Sequence, residues 1–243
     1  MKKWLFAFVA MVTAAGVGAS ASAQVAAVPD EQRVGTRFKQ AAETVEAGRT
    51  RYMQKRVANC MYNRNRKDID AVLDNSDFNH IDFKALSLDP KEAMGDWSMS
   101  NCISKAMNSR EDQMWMQANY STMRNLFAEE AYLRYADTPV ALVDGAIEAM
   151  GDKRRYVHRQ RDTIVLAELA DCLTYRNLSA ADAMLRGLPG SGTESEAFDA
   201  LAPTLSVCLK SDEAEMSVPI SMIRQVVADG LWTRYRHGDL AGS

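Results

Sequence analysis

The sequence predicts a mainly α-helical protein built as a tandem duplication of a three-to-four-helix unit. Three observations lead to this prediction: apolar residues recur at helical spacing, three blocks of sequence occur twice in the same order, and four cysteines fall two to a copy. A hydrophobic content of 47% and a charged content of 25% are ordinary for globular chains, which excludes a collagenous, coiled-coil-only or wholly disordered protein.

Residues 1–23 have the organisation of a bacterial Sec signal peptide. Two lysines follow the initiator methionine, an apolar run extends over residues 4–15, and an A-x-A site at residues 21–23 precedes Gln24. The apolar run is shorter than the roughly 20 residues that span a bilayer. We therefore expect cleavage between Ala23 and Gln24, a flexible tail over residues 24–35, and a periplasmic or secreted product with no transmembrane segment after cleavage.

The charge of the processed chain argues against nucleic acid as a partner. Cleavage removes two of the 29 Lys and Arg residues and none of the 32 Asp and Glu residues, so the formal net charge changes from −3 to −5. A general nucleic-acid-binding protein is expected to be basic.

Three blocks of sequence recur in the second part of the chain. The matching pairs are Ala58–Asn65 with Ala170–Asn177, Met99–Ile103 with Leu205–Leu209, and Ser121–Tyr135 with Ser221–Tyr235. The offsets between them are 112, 106 and 100, and they shrink only between blocks, where loops are expected. This pattern predicts a first repeat over residues 36–137, a linker over 138–160 and a second repeat over 161–243.

The four cysteines are expected to form two structural disulfides, because an exported protein meets an oxidising environment. Three connectivities are possible, and the one that makes the repeats equivalent joins Cys60 to Cys102 and Cys172 to Cys208. These bonds close loops of 42 and 36 residues. In the chain-entropy description each stabilises the fold by about 4 kcal/mol, less any strain.

The helices can be placed in order within each repeat. The first helix is expected to end at Arg64 or Arg176, where the next residue, Asn65 or Asn177, caps a short second helix. Helices that start near Pro90 and near Thr193 or Glu194 carry the second cysteines.

The last helix of each repeat is predicted to be amphipathic with one buried face. Its apolar spacing is i, i+3, i+4, i+8, formed by Met123, Leu126, Phe127 and Ala131 in the first repeat and by Ile223, Val226, Val227 and Leu231 in the second.

Two further elements are predicted outside the helices shared by the repeats. Residues 113–117 and 213–218 read as extended and could pair as a short two-stranded ribbon. Residues 139–150 of the linker are compatible with an extra helix.

The stretches Cys60–Leu73, Cys172–Leu185 and Leu201–Leu209 resemble a group of exported bacterial proteins, rich in Ala and Arg, to which no activity is attached. In that group a cysteine, two to four residues, an Arg and an Asp or Asn cap precede a short helix. The resemblance covers both repeats and implies an envelope setting and a disulfide-stapled helical fold.

No catalytic constellation is visible. The three histidines, His80, His158 and His237, lack the spacing of a zinc site, and the chain has no G-x-S-x-G, Walker A or G-x-G-x-x-G segment. Glu129 and Glu130 are adjacent on a helix and point about 100° apart, which favours a solvated face over a catalytic pair. We therefore expect no enzyme activity, no catalytic residue, no metal site and no cofactor.

Two groups of basic residues are candidate contacts. Arg124, Arg134, Arg224 and Arg234 recur between the repeats and are candidate contacts for an anionic ligand, or else structural residues inherited through duplication. The basic arms that precede the repeats supply candidate envelope contacts: Arg51, Lys55, Arg155 and Arg159.

These observations favour a non-catalytic periplasmic protein with a binding or scaffold role toward an envelope protein or anionic surface. The alternative is a small-molecule or metal-binding protein with a site between the repeats. Copper is the metal considered, because Met114-Trp115-Met116 places two thioethers on one side of an extended strand. The sequence leaves the partner, the ligand and the oligomeric state undetermined.

Overall fold

The computed structural model describes residues 37–40, 45–107, 119–139, 153–209 and 215–238, all of which belong to the unit Val34–Ser243. The described residues form nine helices and two strands. In chain order these are β1 (Arg37–Gln40), α1 (Val45–Arg64), α2 (Arg66–Asp74), α3 (Pro90–Asp96), α4 (Met99–Ala106), α5 (Tyr120–Tyr135), α6 (Arg161–Arg176), α7 (Leu178–Arg186), α8 (Gly192–Leu209), β2 (Glu215–Val218) and α9 (Ile220–His237). The prediction of a mainly helical protein is confirmed.

The two predicted helix breaks are confirmed, but the asparagines act differently at them. Asn177 caps α7, since its side-chain oxygen accepts a hydrogen bond from the Ala180 N–H at 3.3 Å. Asn65 makes no side-chain cap, so that prediction is wrong. Its amide instead donates to the carbonyl of Trp97 at 2.9 Å, which ties the end of α1 to the segment between α3 and α4.

The predicted helix from Pro90 to Cys102 is interrupted. Ser98 has a φ of 63°, in the left-handed region that ends a right-handed helix, so α3 and α4 are separate elements. The corresponding helix in the second part of the chain, α8, is continuous from Gly192 to Leu209 and carries Cys208.

Two disulfides join these helices, Cys60 to Cys102 and Cys172 to Cys208. The prediction that the cysteines are paired is confirmed. The first bond connects α1 to α4 and the second connects α6 to α8, across sequence separations of 42 and 36 residues.

The strand predicted over residues 213–218 is present as β2, and its described partner is β1. The strands are parallel, with Arg37 opposite Glu215 and Gln40 opposite Val218. The Ser195 hydroxyl on α8 donates to the Gln40 side chain at 3.0 Å. The beginning of the described chain is therefore fixed to β2 and α8. Residues 113–117, the partner that the sequence suggested, and residues 140–150 of the expected linker helix lie outside the described residues.

Helices α5 and α9 run side by side in the same direction through the centre of the protein. Positions 100 residues apart meet near both ends: Asn125 lies 3.5 Å from Gln225, and the rings of Tyr135 and Tyr235 stack with centroids 6.0 Å apart. Because an early and a late residue of α5 each meet the residue 100 positions later on α9, the two helices are parallel. The prediction that each of these helices buries one apolar face is wrong. Both helices bury charged and polar residues as well, because other helices cover them on several sides.

Two hydrophobic cores lie on either side of this pair, and each is completed by the other part of the chain. The core formed mainly by α1 to α5 includes Trp232 of α9. The core formed mainly by α6 to α9 includes Phe78, Tyr132 and Ala136. No helix in the described part of the chain is long and apolar enough to cross a membrane.

Candidate functional site

A cleft of about 360 Å³ lies beside the Cys60–Cys102 disulfide, between α1, α4 and α5. Leu188, from the turn between α7 and α8, forms part of its rim. The residues that line it are Tyr52, Lys55, Arg56, Asn59, Cys60, Cys102, Lys105, Ala106, Glu130 and Leu188. This volume lies within the range of small-molecule sites.

The turn that brings Leu188 to the cleft is held by close backbone packing. Gly190 has a φ of 79°, and a Cβ there would lie 3.1 Å from the Cα of Gly48 on α1. The Gly190 N–H also donates to Glu194 at 2.7 Å. A glycine is required at this position because both its backbone angle and its contact exclude a side chain.

Positive side chains dominate the lining of the cleft. Lys55, Arg56 and Lys105 face one carboxylate, that of Glu130. Arg56 lies over the ring of Tyr52, 5.9 Å from its centroid, and forms no ion pair with a described carboxylate. Lys105 is exposed at the end of α4 and likewise has no ion pair among the described residues.

Glu130 is a buried acid at the inner wall of the cleft. Lys55 donates to one of its oxygens at 2.7 Å, and the Asn59 amide donates to the other at 2.6 Å. Burial raises the pKa of Glu130, and the adjacent charge of Glu129 adds to this; Lys55 offsets only part of the increase. The carboxylate is thus held by two donors in a site that disfavours its charge.

A network of ion pairs extends from Glu130 into the protein. We call the first ion network the six residues Arg51, Lys55, Glu129, Glu130, Glu194 and Arg224. Lys55 bonds Glu129 as well as Glu130. Arg224 donates to Glu129 at 2.6 Å and to Glu194 at 3.0 Å, and Arg51 donates to Glu194 at 2.7 Å.

The charges within this network determine the pKa values of its acids. Burial raises the pKa of Glu129, but the charges of Arg224 and Lys55 more than offset it and leave the pKa below its usual value. The pKa of Glu194 is lowered in the same way by Arg51, the Gly190 N–H and Arg224. Three cations and three carboxylates thus connect α1, α5, α8 and α9.

A second ion network consists of Arg124, Arg154, Asp171 and Asp229. Asp229 bonds Arg124 and also accepts from Arg154 at 2.7 Å, and Arg154 forms two further bonds with Asp171. Burial raises the pKa of Asp229, but Arg154 and Arg124 more than offset it, so the pKa lies below its usual value. Helices α5 and α9 form reciprocal ion pairs, since Arg124 of α5 bonds Asp229 of α9 and Arg224 of α9 bonds Glu129 of α5.

In the second part of the chain, α9 packs tightly against α6 at the position that aligns in sequence with Glu130. Gly230 occupies the position 100 residues after Glu130, and a Cβ there would lie 2.6 Å from the carbonyl oxygen of Ala170. Asp171, 112 positions after Asn59, is bonded to Arg154. Thus α9 contacts α6 through a glycine with no space for a Cβ, whereas α5 presents Glu130 to α1 beside the cleft.

The lowered pKa values predict loss of stability in acid. We expect the free energy of unfolding to decrease as the pH falls below about 4.5, the ordinary pKa of Glu, because the lowered pKa values of Glu129, Glu194 and Asp229 stabilise the fold only while these groups are ionised. Glu130 acts in the opposite direction, since a raised pKa contributes stability that is lost as the pH rises. Thermal unfolding from pH 7 to 2 measures the balance; a constant melting temperature between pH 5 and 2.5 would contradict it.

The four arginines predicted as anion contacts are placed differently from one another. Arg124 and Arg224 are buried in the two ion networks, and Arg234 is buried with a bond to the carbonyl of Thr174 at 2.7 Å. Arg134 is exposed. The structure does not bring the four side chains to one cleft, and a role for them toward an anionic ligand stays a prediction.

The candidate envelope contacts also divide into two kinds. Arg51 and Lys55 bond buried carboxylates of the first ion network, and Lys55 reaches the cleft. Arg155 is 45% exposed and pairs with Asp82 at 2.9 Å, while Arg159 is exposed over the ring of Tyr156. Contact with an envelope component stays a prediction for all four.

The copper hypothesis falls on residues 114–116, which lie outside the described residues. Among the residues that the structure does describe, no group of three or more His, Cys, Asp or Glu side chains could hold a metal ion. Comparison with protein-family models, with curated proteins and with solved structures found no match to this chain.

Sequence reasoning missed Asn59, Lys105 and Glu130 as site residues. Lys105 lies in no basic run, and its proximity to Arg56 arises only when the Cys60–Cys102 bond brings α4 to α1. One signal was present: Glu130 and Gly230 differ within otherwise matching helices. A glutamate aligned with a glycine indicates that the two helices pack differently at that point.

Proposed function

We propose that this chain is a non-catalytic binding protein of the bacterial envelope and that the cleft beside the first disulfide holds a small anionic molecule. One observation carries the proposal. The cleft has three cations and one carboxylate in its lining, whereas at the aligned position of the second part α9 packs tightly against α6 through Gly230. Cations that line a concave surface and have no carboxylate partner among the described residues, here Arg56 and Lys105, favour an anionic ligand.

Binding can be tested with three small probes on the full chain, purified from the periplasm of a bacterial host without reductant. We expect phenyl phosphate to bind in isothermal titration, and methyl glucoside and choline not to bind. At ten times its Kd a ligand adds about 1.4 kcal/mol to the free energy of unfolding. For a chain of this size that corresponds to a rise in Tm of about 3–5 °C.

Charge reversal locates the site. Lys105→Glu should weaken the binding of phenyl phosphate at least tenfold, because it places a carboxylate in the cleft in place of a cation. Lys84→Glu is the matched control, an exposed lysine that does not line the cleft. Equal affinity of the two variants, or no binding of phenyl phosphate to the unaltered chain, would overturn the proposed function.

We also propose that the two parts of the chain arose by duplication. The support is reciprocal: Arg124 pairs with Asp229 and Arg224 with Glu129, and Tyr132 and Trp232 each enter the core of the opposite part. Two copies related by a two-fold axis parallel to α5 and α9 would place these helices side by side in the same direction, with equivalent residues in contact. In this proposal the first copy kept or acquired the cleft and the second became tightly packed at Gly230.

Export is the third part of the proposal. The signal-like sequence of residues 1–23 and the two disulfides support a periplasmic or secreted location. N-terminal sequencing of the secreted product should begin at Gln24. A product that begins at Met1 would contradict export by cleavage.

A further inference from the structure

The charge of the cleft indicates how many negative charges its ligand carries, an inference that rests on the proposed function. Lys55 is bonded to Glu130, and Glu129, its other partner, is also bonded to Arg224. With these groups compensated inside the first ion network, two cations in the lining have no described carboxylate, Arg56 and Lys105. Among the described residues, the lining of the cleft therefore has a surplus of two positive charges.

Part of the lining of the cleft is apolar. Leu188 is 53% exposed, and it lies with Ala106, the ring of Tyr52 and the disulfide around the same space. A ligand with an anionic head at Arg56 and Lys105 therefore has apolar groups of the same cleft available to contact the rest of its body.

We propose that the cleft binds an organic molecule with a doubly charged oxyanion head and a small apolar or aromatic body. A phosphate monoester has this chemistry: its second pKa is about 6, so it is dianionic above neutral pH. Arg56 offers the planar fork that binds such oxygens in pairs, and Lys105 supplies a point charge. In the described residues around Gly230 the nearby cation is compensated, since Arg154 pairs with Asp171 and Asp229.

The test compares phenyl phosphate with phenyl sulfate, which has a similar shape but carries a single charge. At pH 8 we expect phenyl phosphate to bind about tenfold more tightly, because the second charge meets the second cation. The preference should disappear at pH 5, where the phosphate gains a proton.

Variants assign the preference to the cleft. Arg56→Gln and Lys105→Gln should each reduce the preference at pH 8 to about threefold or less, whereas Lys84→Gln should leave it unchanged. Glu130→Gln should tighten phenyl phosphate about threefold, because it removes a negative charge from the wall. Thermal unfolding and the circular dichroism spectrum show whether each variant is folded.

The outcomes separate this inference from the proposed function. Equal affinity for the two probes at pH 8 would overturn the inference that the ligand is doubly charged, and so would a preference that both Arg56→Gln and Lys105→Gln leave unchanged. Neither result would contradict the proposal that the cleft binds an anion. If neither phenyl phosphate nor phenyl sulfate binds, the proposed function itself is overturned.

Discussion

Asp229→Ala is expected to lower the free energy of unfolding by about 3–5 kcal/mol, the range for loss of one partner from a buried ion pair. Asp229 is 0% exposed and bonds two arginines that are themselves buried, Arg124 and Arg154. Without the carboxylate, α5 and α9 meet around cations whose charge is no longer balanced. Urea unfolding monitored by circular dichroism measures the loss.

The matched control is Asp74→Ala, which removes a carboxylate from an exposed pair with Arg236. An exposed pair of this kind contributes at most about 1 kcal/mol, since water solvates both ions in its absence. Addition of Arg124→Met to Asp229→Ala should recover part of the loss, because it removes one of the two unbalanced cations. Equal losses for Asp229→Ala and Asp74→Ala would show that the second ion network does not hold the helices together.

Gly230→Ala is expected to destabilise the protein by about 2–3 kcal/mol, although alanine is the better helix former. The added Cβ would lie 2.6 Å from the Ala170 carbonyl oxygen and 2.8 Å from the Thr174 methyl group. The carbonyl is backbone within α6 and cannot move without displacing that helix. The change should also reduce the melting temperature by several degrees.

Gly95→Ala provides the control for helix propensity. Gly95 lies in α3 with no atom within 4 Å of a Cβ built there, so this variant should gain up to about 1 kcal/mol. Opposite signs for the two substitutions would establish the close approach of α9 to α6. A gain in stability from Gly230→Ala would refute that close approach. It would also refute the contrast between tight packing at Gly230 and the cleft at Glu130.

Local features were predictable from the sequence because they depend on neighbouring residues. The end of α1 at Arg64, the end of α6 at Arg176 and the buried apolar spacing of α9 were predicted in this way. Asn65 was correctly predicted to lie at the break between α1 and α2, but the hydrogen bond predicted for its side chain was wrong. Its amide found a carbonyl on a segment 32 residues away, a contact that no local pattern reports.

The charged residues of the central helices could not be placed from sequence. Glu129 and Glu130 were predicted to be solvated, since charges are seldom buried alone, and Arg224 was predicted to be a ligand contact or a structural residue. In the structure each has an opposite charge at bonding distance from another helix, and this pairing permits burial. The same pairing leaves Arg56 and Lys105 as the cations that define the cleft.

By itself the sequence determined that the chain is helical, that its cysteines are paired and that the first helices end where they do, because spacing, composition and capping act over a few residues. Only the tertiary structure decided that β1 pairs with β2, that α5 and α9 form a parallel buried pair, and that Glu130 borders a cleft while Gly230 packs tightly against α6. These outcomes depend on which distant surfaces meet, and the energies of burial and ion pairing that select them exist only once the helices are in contact.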